Sequence, residues 1–477
     1  MIEKIKKIPV TEESHPFGTA ARKCEFARNG YVEEEYFLYG TSKVYKWRGG
    51  KKTVAFEGAP YVNRLIVRKP ENTARFSKNV VVEILNSTSF IDFDRVWVLC
   101  RRHMMRKGDV YIGVTSKPNV LSAMYKMDYE RYSELCWPNP CGEDTGLSPE
   151  KLGNMEGASS PCSEDGLFWD MLTDLAKMLR VPHNELLPEY GHYWQYLSGW
   201  SQSGGYMIRF LNTFAYERNQ KQPYFDGYFS CGSASVCMPD LNQSYGATGR
   251  NLPRMIQKCR EPFIEVHTES ENQKWGNYEA RGEDSDSREL KYRVYDIAGA
   301  THDSKSTMID YYMGDCDVMK CGIIPNYPGK EIYPNDSPYE LVFHAALEYL
   351  YRWTREGIPP VRTAPIETDE NHENITDEHG NAKGGWRLPF ITCPLAAYVP
   401  YCTPMKPEFT FASRLFGYKE PFPDEKVRTL YKTYDNYMQK VENETDRCIR
   451  EGLLLAEDRE SCIAYCEALA GRYGHIW

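Results

Sequence analysis

The stretch from His192 to Asn212, "HYWQYLSGWSQSGGYMIRFLN", constrains the chain more than any other. Its first ten residues read as a strand and its last ones as an apolar helical run, with only Gln202, Ser203, Gly204 and Gly205 between them. A strand that turns directly into a helix is the building unit of a sheet whose strands are joined by crossover helices. The same alternation recurs. "YVNRLIVRKP" and "NVVVEILN" are successive strands, the second an uninterrupted apolar run of the kind buried on both faces. "DRVWVLCRRHMMRKG" is a helix stopped by Gly108, and "DVYIGVTS" is the strand after it. From Ser163 the apolar residues Leu167, Phe168, Met171, Leu172, Leu175, Met178 and Leu179 fall on one helical face, with Ser163 or Asp165 as cap. "PFIEVHTESE" and "YRVYDIAGATH" are two more strands, each ending in a polar turn.

Around this alternation lie other textures. Up to about Glu57, "EYFLYGTSKVYKW" predicts short strands with glycine at the turns. "SPYELVFHAALEYLYRWTREG" predicts a helix with Ser337 as cap, Pro338 at its first position and Gly357 at its stop. "TAPIETDENHENITDEHGNAKGG" is an acidic loop or hairpin excursion. From Asp424, Val427, Leu430, Tyr431, Tyr434, Tyr437, Met438 and Val441 recur at helical spacing, and a further helix covers Asp458 to Leu469.

A serine hydroxyl becomes a nucleophile only if a base takes its proton and donors hold the oxyanion that forms. The turn between strand and helix offers Ser201 and Ser203. A G-x-S-x-G turn keeps small residues two before and two after the nucleophile so that the backbone can bend sharply. Ser201 meets it with Gly199 before and Ser203 after; Ser203 meets it if Ser201 stands for the first glycine. Ser201 is preferred, because Gly199 then bends the chain where the strand ends and Gly204-Gly205 lets the helix pack close. A relay built on such a sheet takes its acid and then its histidine from the ends of later strands. The turn "TESE" supplies Glu269 and Glu271, of which Glu271, deeper in the turn, is preferred and Glu269 held in reserve. "AGATH" supplies His302 after a small-residue turn. His267 lies inside a strand and is expected to pack in or beside the sheet. The oxyanion donors are the amide after the nucleophile, Gln202, and the loop after "NVVVEIL", which opens with Asn86-Ser87.

Composition excludes several other functions. The net charge of −9 is dispersed, with no basic stripe, which argues against nucleic acid. "MIEKIKKIPVTEESHPFG" lacks an apolar h-region and no run of eighteen apolar residues occurs, so a soluble, unexported, cytoplasmic protein with no membrane partner is expected. The 15 cysteines include no C-x-x-C pair, which suits reduced thiols better than disulfides or a zinc site. "HENITDEH" lacks the H-E-x-x-H spacing, Thr376 standing where the second histidine would be, and reads as a solvated acidic loop.

Together "YGTSKVY", "PYVNRLIVRKP", "VVVEILN", "GWSQSGG", "YFDGYF", "HTESE", "AGATH" and "GGWRLPFITCPLAAY" resemble the bacterial α/β-hydrolase-domain proteins whose nucleophile turn reads G-x-S-Q-S. The resemblance runs from about Glu35 to Tyr398. It implies an α/β-hydrolase fold: a mostly parallel central sheet with helices on both faces. Independently of the resemblance, residues 1–55 are expected to form an N-terminal β addition packed on the core, 56–357 the core, and 358–477 a C-terminal loop and helical addition, which the abundance of Tyr and Trp and the length of chain after His302 predict to cover the site as a lid. The resemblance also implies a serine hydrolase of the carboxylic-ester type with Ser201, an acid of the "TESE" turn and His302. The substrate would be a small-molecule ester, bulky or aromatic, and neither metal nor organic cofactor is needed. An acyltransferase or aminopeptidase with the same triad, and a catalytically silent binding protein of this fold, are the alternatives.

Overall fold

A computed structural model describes residues 1–18, 23–140, 162–216, 222–233, 239–245, 255–273, 281–312, 314–321 and 326–477. The chain divides into two compact units. The first comprises Met1–Phe263, Arg288–Leu290 and Gly314–Ile324, and the second Ile264–Ser287, Lys291–Met313 and Pro325–Trp477.

In the first unit the strands are β1 (Ile2–Ile8), β2 (Tyr31–Arg48), β3 (Lys51–Pro70), β4 (Asn79–Ile84), β5 (Val110–Val114), β6 (Trp194–Trp200) and β7 (Gly227–Cys231), in the sheet order β1-β2-β3-β5-β4-β6-β7. The strands β5, β4, β6 and β7 are parallel neighbours, and β1, β2 and β3 extend them antiparallel. Parallel neighbours need a crossover, and helices supply it: Arg95–Lys107 between β4 and β5, and Gln202–Thr213 between β6 and β7. All six residues of β4 are buried, as its unbroken apolar run predicts. Gly108, at φ 85°, ends the helix Arg95–Lys107 in the left-handed conformation that glycine adopts at low cost.

Three local expectations are corrected. The N-terminal strands are long: β2 has 18 residues and β3 has 20, joined by Gly49-Gly50, both at positive φ. Gly40 lies within β2, where a Cβ would stand 2.7 Å from the Tyr61 hydroxyl, so it serves close approach rather than a turn. The helix expected from Ser163 begins at Phe168 after a 3₁₀ turn, and Glu164 is the capping side chain, accepting from the Gly166 amide at 2.9 Å.

In the second unit, β8 (Cys259–Thr268, its residues from Ile264 lying here), β9 (Ser285–Asp286) and β10 (Leu290–Ile297) follow the order β8-β10-β9, and β11 (Ala396–Val399) pairs with β12 (Tyr418–Pro421). The helix expected at Ser337 begins at Glu340 and ends at Gly357, φ 72°. Ser337 is not its cap; its hydroxyl donates to the Gly299 carbonyl at 3.3 Å. The helical pattern from Asp424 is two helices, Asp424–Tyr431 and Tyr434–Arg450. Lys432 turns the chain at φ 69° and the Thr433 hydroxyl caps the second by accepting from the Asn436 amide at 3.2 Å. The helix Arg459–Gly471 packs against Tyr434–Arg450. Among the described residues no helix is long and apolar enough to cross a membrane, and Cys100, Cys316, Cys393, Cys448, Cys462 and Cys466 are free thiols.

Candidate active site

The end of β6 delivers Ser201 to the start of the helix Gln202–Thr213. Trp200 is still paired with Cys231 of β7, and the Ser201 amide donates to the Cys231 carbonyl at 2.9 Å. One residue later the chain is helical, with the Gly204 amide on the Ser201 carbonyl at 3.0 Å. Reversing direction within one residue forces Ser201 to φ 55°, ψ −117°, a region outside the three that L-residues ordinarily occupy. The flanking small residues make this bend possible. A Cβ on Gly199 would meet the backbone of Ser203 at 2.7 Å, and one on Gly204 would meet Ser233 at the same distance. Ser201 is therefore the residue at the elbow. Ser203 lies inside the helix, buried, its hydroxyl donating to the Leu85 carbonyl at 3.2 Å.

The loop after β4 folds against this elbow. The Asn86 side-chain amide donates to the Trp200 carbonyl at 3.0 Å, and the Ser87 hydroxyl donates to the Gln202 side-chain oxygen at 3.3 Å. The sequence reading brought Asn86, Ser87 and Gln202 together, and they are together. The two loop amides are not equivalent, however. That of Asn86 is committed to the Phe93 carbonyl at 2.9 Å, in a two-way bridge that closes residues 86–93. Asn86 is corrected from oxyanion donor to clamp, because its N–H is spent and its side chain holds the elbow.

Sequence reasoning missed what holds this loop. Glu83, fully buried in β4, accepts from the amides of Val96 and Trp97 at 2.8 and 2.9 Å and from the Tyr111 hydroxyl at 2.8 Å. It thereby satisfies the first amides of the helix Arg95–Lys107. Burial, with Asp94 nearby, pushes its carboxyl up to about 8 against the three donors. Asp92 is bound by Arg64 at 3.3 Å and by the Thr115 hydroxyl, and Arg64 is in turn bound by Glu35. A lone glutamate in "NVVVEILN" is the one visible signal, since a buried strand carries such a group only with partners.

In the second unit, β8 ends at Thr268 and the expected turn is a short helix, Glu269–Gln273. His302 follows β10 and the turn at Gly299, φ 74°. The His302 Nδ1 and Glu271 Oε1 are 2.5 Å apart, and the other Glu271 oxygen accepts from the Thr268 amide at 2.5 Å. The His302 backbone amide donates to the Ser270 hydroxyl at 3.1 Å. Both His302 and Glu271 are buried. Glu269 faces elsewhere: it accepts from the Gly299 amide at 2.8 Å, and burial lifts its carboxyl to about 7 despite that bond. Of the two acids in the turn, Glu271 holds the imidazole and Glu269 braces the loop before it. The Gly299 carbonyl is itself held by Asn335 at 2.9 Å. His267 is packed in the sheet as expected, 3.2 Å from Glu265 and 3.7 Å from Asp296; burial opposes its charge, but the two carboxylates outweigh it and lift it to about 9.

A strand, a strained serine and a helix in immediate succession, on a sheet with helical crossovers, define the α/β-hydrolase class. The chain belongs to the family described as alpha/beta hydrolase domain, whose model matches residues 5–464. No curated protein matches it. Solved structures to which it is similar include the siderophore hydrolase EstA from Aspergillus nidulans, at 15% identity over 54% of this chain and 73% of that one with a TM-score of 0.26. They also include esterase B from Lactobacillus rhamnosis, at 10% identity over 58% and 82% with a TM-score of 0.28. A third is dienelactone hydrolase from Anabaena variabilis, at 14% over 48% and 74% with a TM-score of 0.24.

Proposed function

We propose that the protein is a serine hydrolase that cleaves the carboxylic ester of a bulky or aromatic small molecule through an acyl-enzyme intermediate. The backbone of Ser201, held at φ 55° between strand and helix, is the observation that carries this reading. Ser201 Oγ attacks the ester carbonyl and its proton passes to His302. The imidazole is fixed through Nδ1 by Glu271, so Nε2 is the atom that receives the proton and returns it to the departing alcohol. The Glu271 carboxylate stabilises the imidazolium that forms. The amides of Gln202 and Ser87 receive the oxyanion. Water, deprotonated by the same imidazole, then releases the acid.

The test is the time course of an activated aryl ester. A burst of phenolate equal to the enzyme concentration, lost in Ser201→Ala and in His302→Ala, is expected. Undiminished turnover in Ser201→Ala would overturn the reading. Adding alcohols or amines distinguishes hydrolysis from acyl transfer by the ratio of products.

A further inference from the structure

His15 lies 302 residues before Asp317, the neighbour of Cys316, yet the three meet within the first unit, one donor atom from each lying within 4.8 Å of the others. His15 Nε2 is 3.1 Å from both carboxylate oxygens of Asp317, and Cys316 Sγ is 3.6 Å from Asp317 Oδ1. Tetrahedral bonds to zinc of about 2.05 Å for nitrogen, 2.1 Å for oxygen and 2.3 Å for sulfur require edges of about 3.4 Å between nitrogen and oxygen and about 3.6 Å between oxygen and sulfur. The observed nitrogen–oxygen separation is about 0.3 Å shorter than its edge and the oxygen–sulfur separation equals its own, while the nitrogen and sulfur lie within 4.8 Å of each other. The Gly18 amide donates to Asp317 Oδ2 at 3.0 Å, which orients the carboxylate while Oδ1 faces the thiol. Asp317 is fully buried, His15 partly so, and Cys316 is exposed, so the cluster has a buried floor and an open side.

We propose that His15, Cys316 and Asp317 form a binding site for a borderline-soft divalent cation of the zinc type, with its fourth position open to solvent. An imidazole, a thiolate and one carboxylate favour zinc or cobalt over magnesium or calcium, which prefer oxygen ligands alone. Cys316 gives its proton to solvent as the metal–sulfur bond forms, and the imidazole binds as the neutral base through Nε2, exchanging its contact with Asp317 for the metal. The metal clips the segment around His15 to the helix Cys316–Lys320. None of its ligands belongs to the proposed hydrolytic machinery, so the site stands or falls separately from it.

The experiment titrates the reduced, chelator-treated full chain with Co²⁺ and follows thiolate-to-cobalt charge-transfer absorption. One equivalent should produce the band and Zn²⁺ should abolish it. Cys316→Ser should remove it, and His15→Ala should weaken binding by about ten-fold or more. A variant-free measurement accompanies it: Zn²⁺ should slow alkylation of Cys316 at least about ten-fold, mapped by peptide mass, while Mg²⁺ has no effect. Absence of a band in the unmodified protein, a band that persists in Cys316→Ser, or unchanged alkylation of Cys316 would each overturn the proposal.

Discussion

Replacing Ser201 separates its chemistry from its backbone. The serine holds φ 55°, ψ −117°, and a non-glycine residue in such a region carries a strain of about 1–3 kcal/mol. Ser201→Ala keeps the Cβ and therefore the strain. Ser201→Gly removes the Cβ, while the freer unfolded chain of glycine costs about 0.5–1 kcal/mol in return. The glycine variant is thus expected to exceed the alanine variant in stability by up to about 2.5 kcal/mol, although both lose hydrolysis completely. Glycine is also preferred over alanine at an ordinary helix N-cap, so the unmodified protein is the second reference: a strained elbow makes Ser201→Gly at least as stable as the serine protein, whereas an ordinary N-cap would lose a few tenths of a kcal/mol. Urea denaturation followed by tryptophan fluorescence, with both variants run side by side, measures the difference. A glycine variant no more stable than the alanine variant would refute the claim that the elbow strains Ser201.

Glu271→Gln keeps the shape of the side chain but removes the charge that holds His302, and kcat should fall by about 10³–10⁴, read from ester hydrolysis with KM little changed. Ser203→Ala should retain activity, with a stability cost of about 1 kcal/mol or less in urea melts, because the Leu85 carbonyl it bonds also accepts from Ser116 at 2.7 Å. Glu269 holds its proton to about pH 7 in the folded protein, whereas the unfolded chain loses it near its ordinary 4.5. Between those values the native state binds more protons, so stability falls as pH rises through that window, by up to about 3 kcal/mol. Glu269→Gln should flatten this slope in denaturation midpoints measured from pH 4.5 to 8; an unchanged slope would assign it to other groups.

The sequence disclosed the elements whose signals are local. The apolar run of β4, the stop at Gly108 and the Gly/Ser turn at Ser201 each owe their structure to neighbouring residues, and each was legible. The order of serine, acid and histidine at strand ends singled out Ser201, which the first unit holds at its elbow, and Glu271 and His302, which the second unit pairs. The pairing of Glu271 rather than Glu269 with His302 followed from depth in the turn, although the short helix that sets that depth was not foreseen. What stayed hidden depends on partners distant in sequence. The amide of Asn86 is spent on Phe93, Glu83 anchors a helix start, and Asp92 is fixed by Arg64 and Thr115. Helix starts failed for a related reason: Ser163 and Ser337 are good caps by propensity, yet Glu164 takes one role and Gly299 claims the other serine. The break at Lys432 carries no glycine or proline, so the apolar period alone ran through it.

Reaction of the native protein with a fluorophosphonate, followed by peptide mapping of the adduct, asks most directly whether the elbow serine is an activated nucleophile. A single adduct on Ser201, lost when His302 is replaced by alanine, is the predicted result. An adduct on Ser203, or none on a folded protein that still hydrolyses esters, would contradict it.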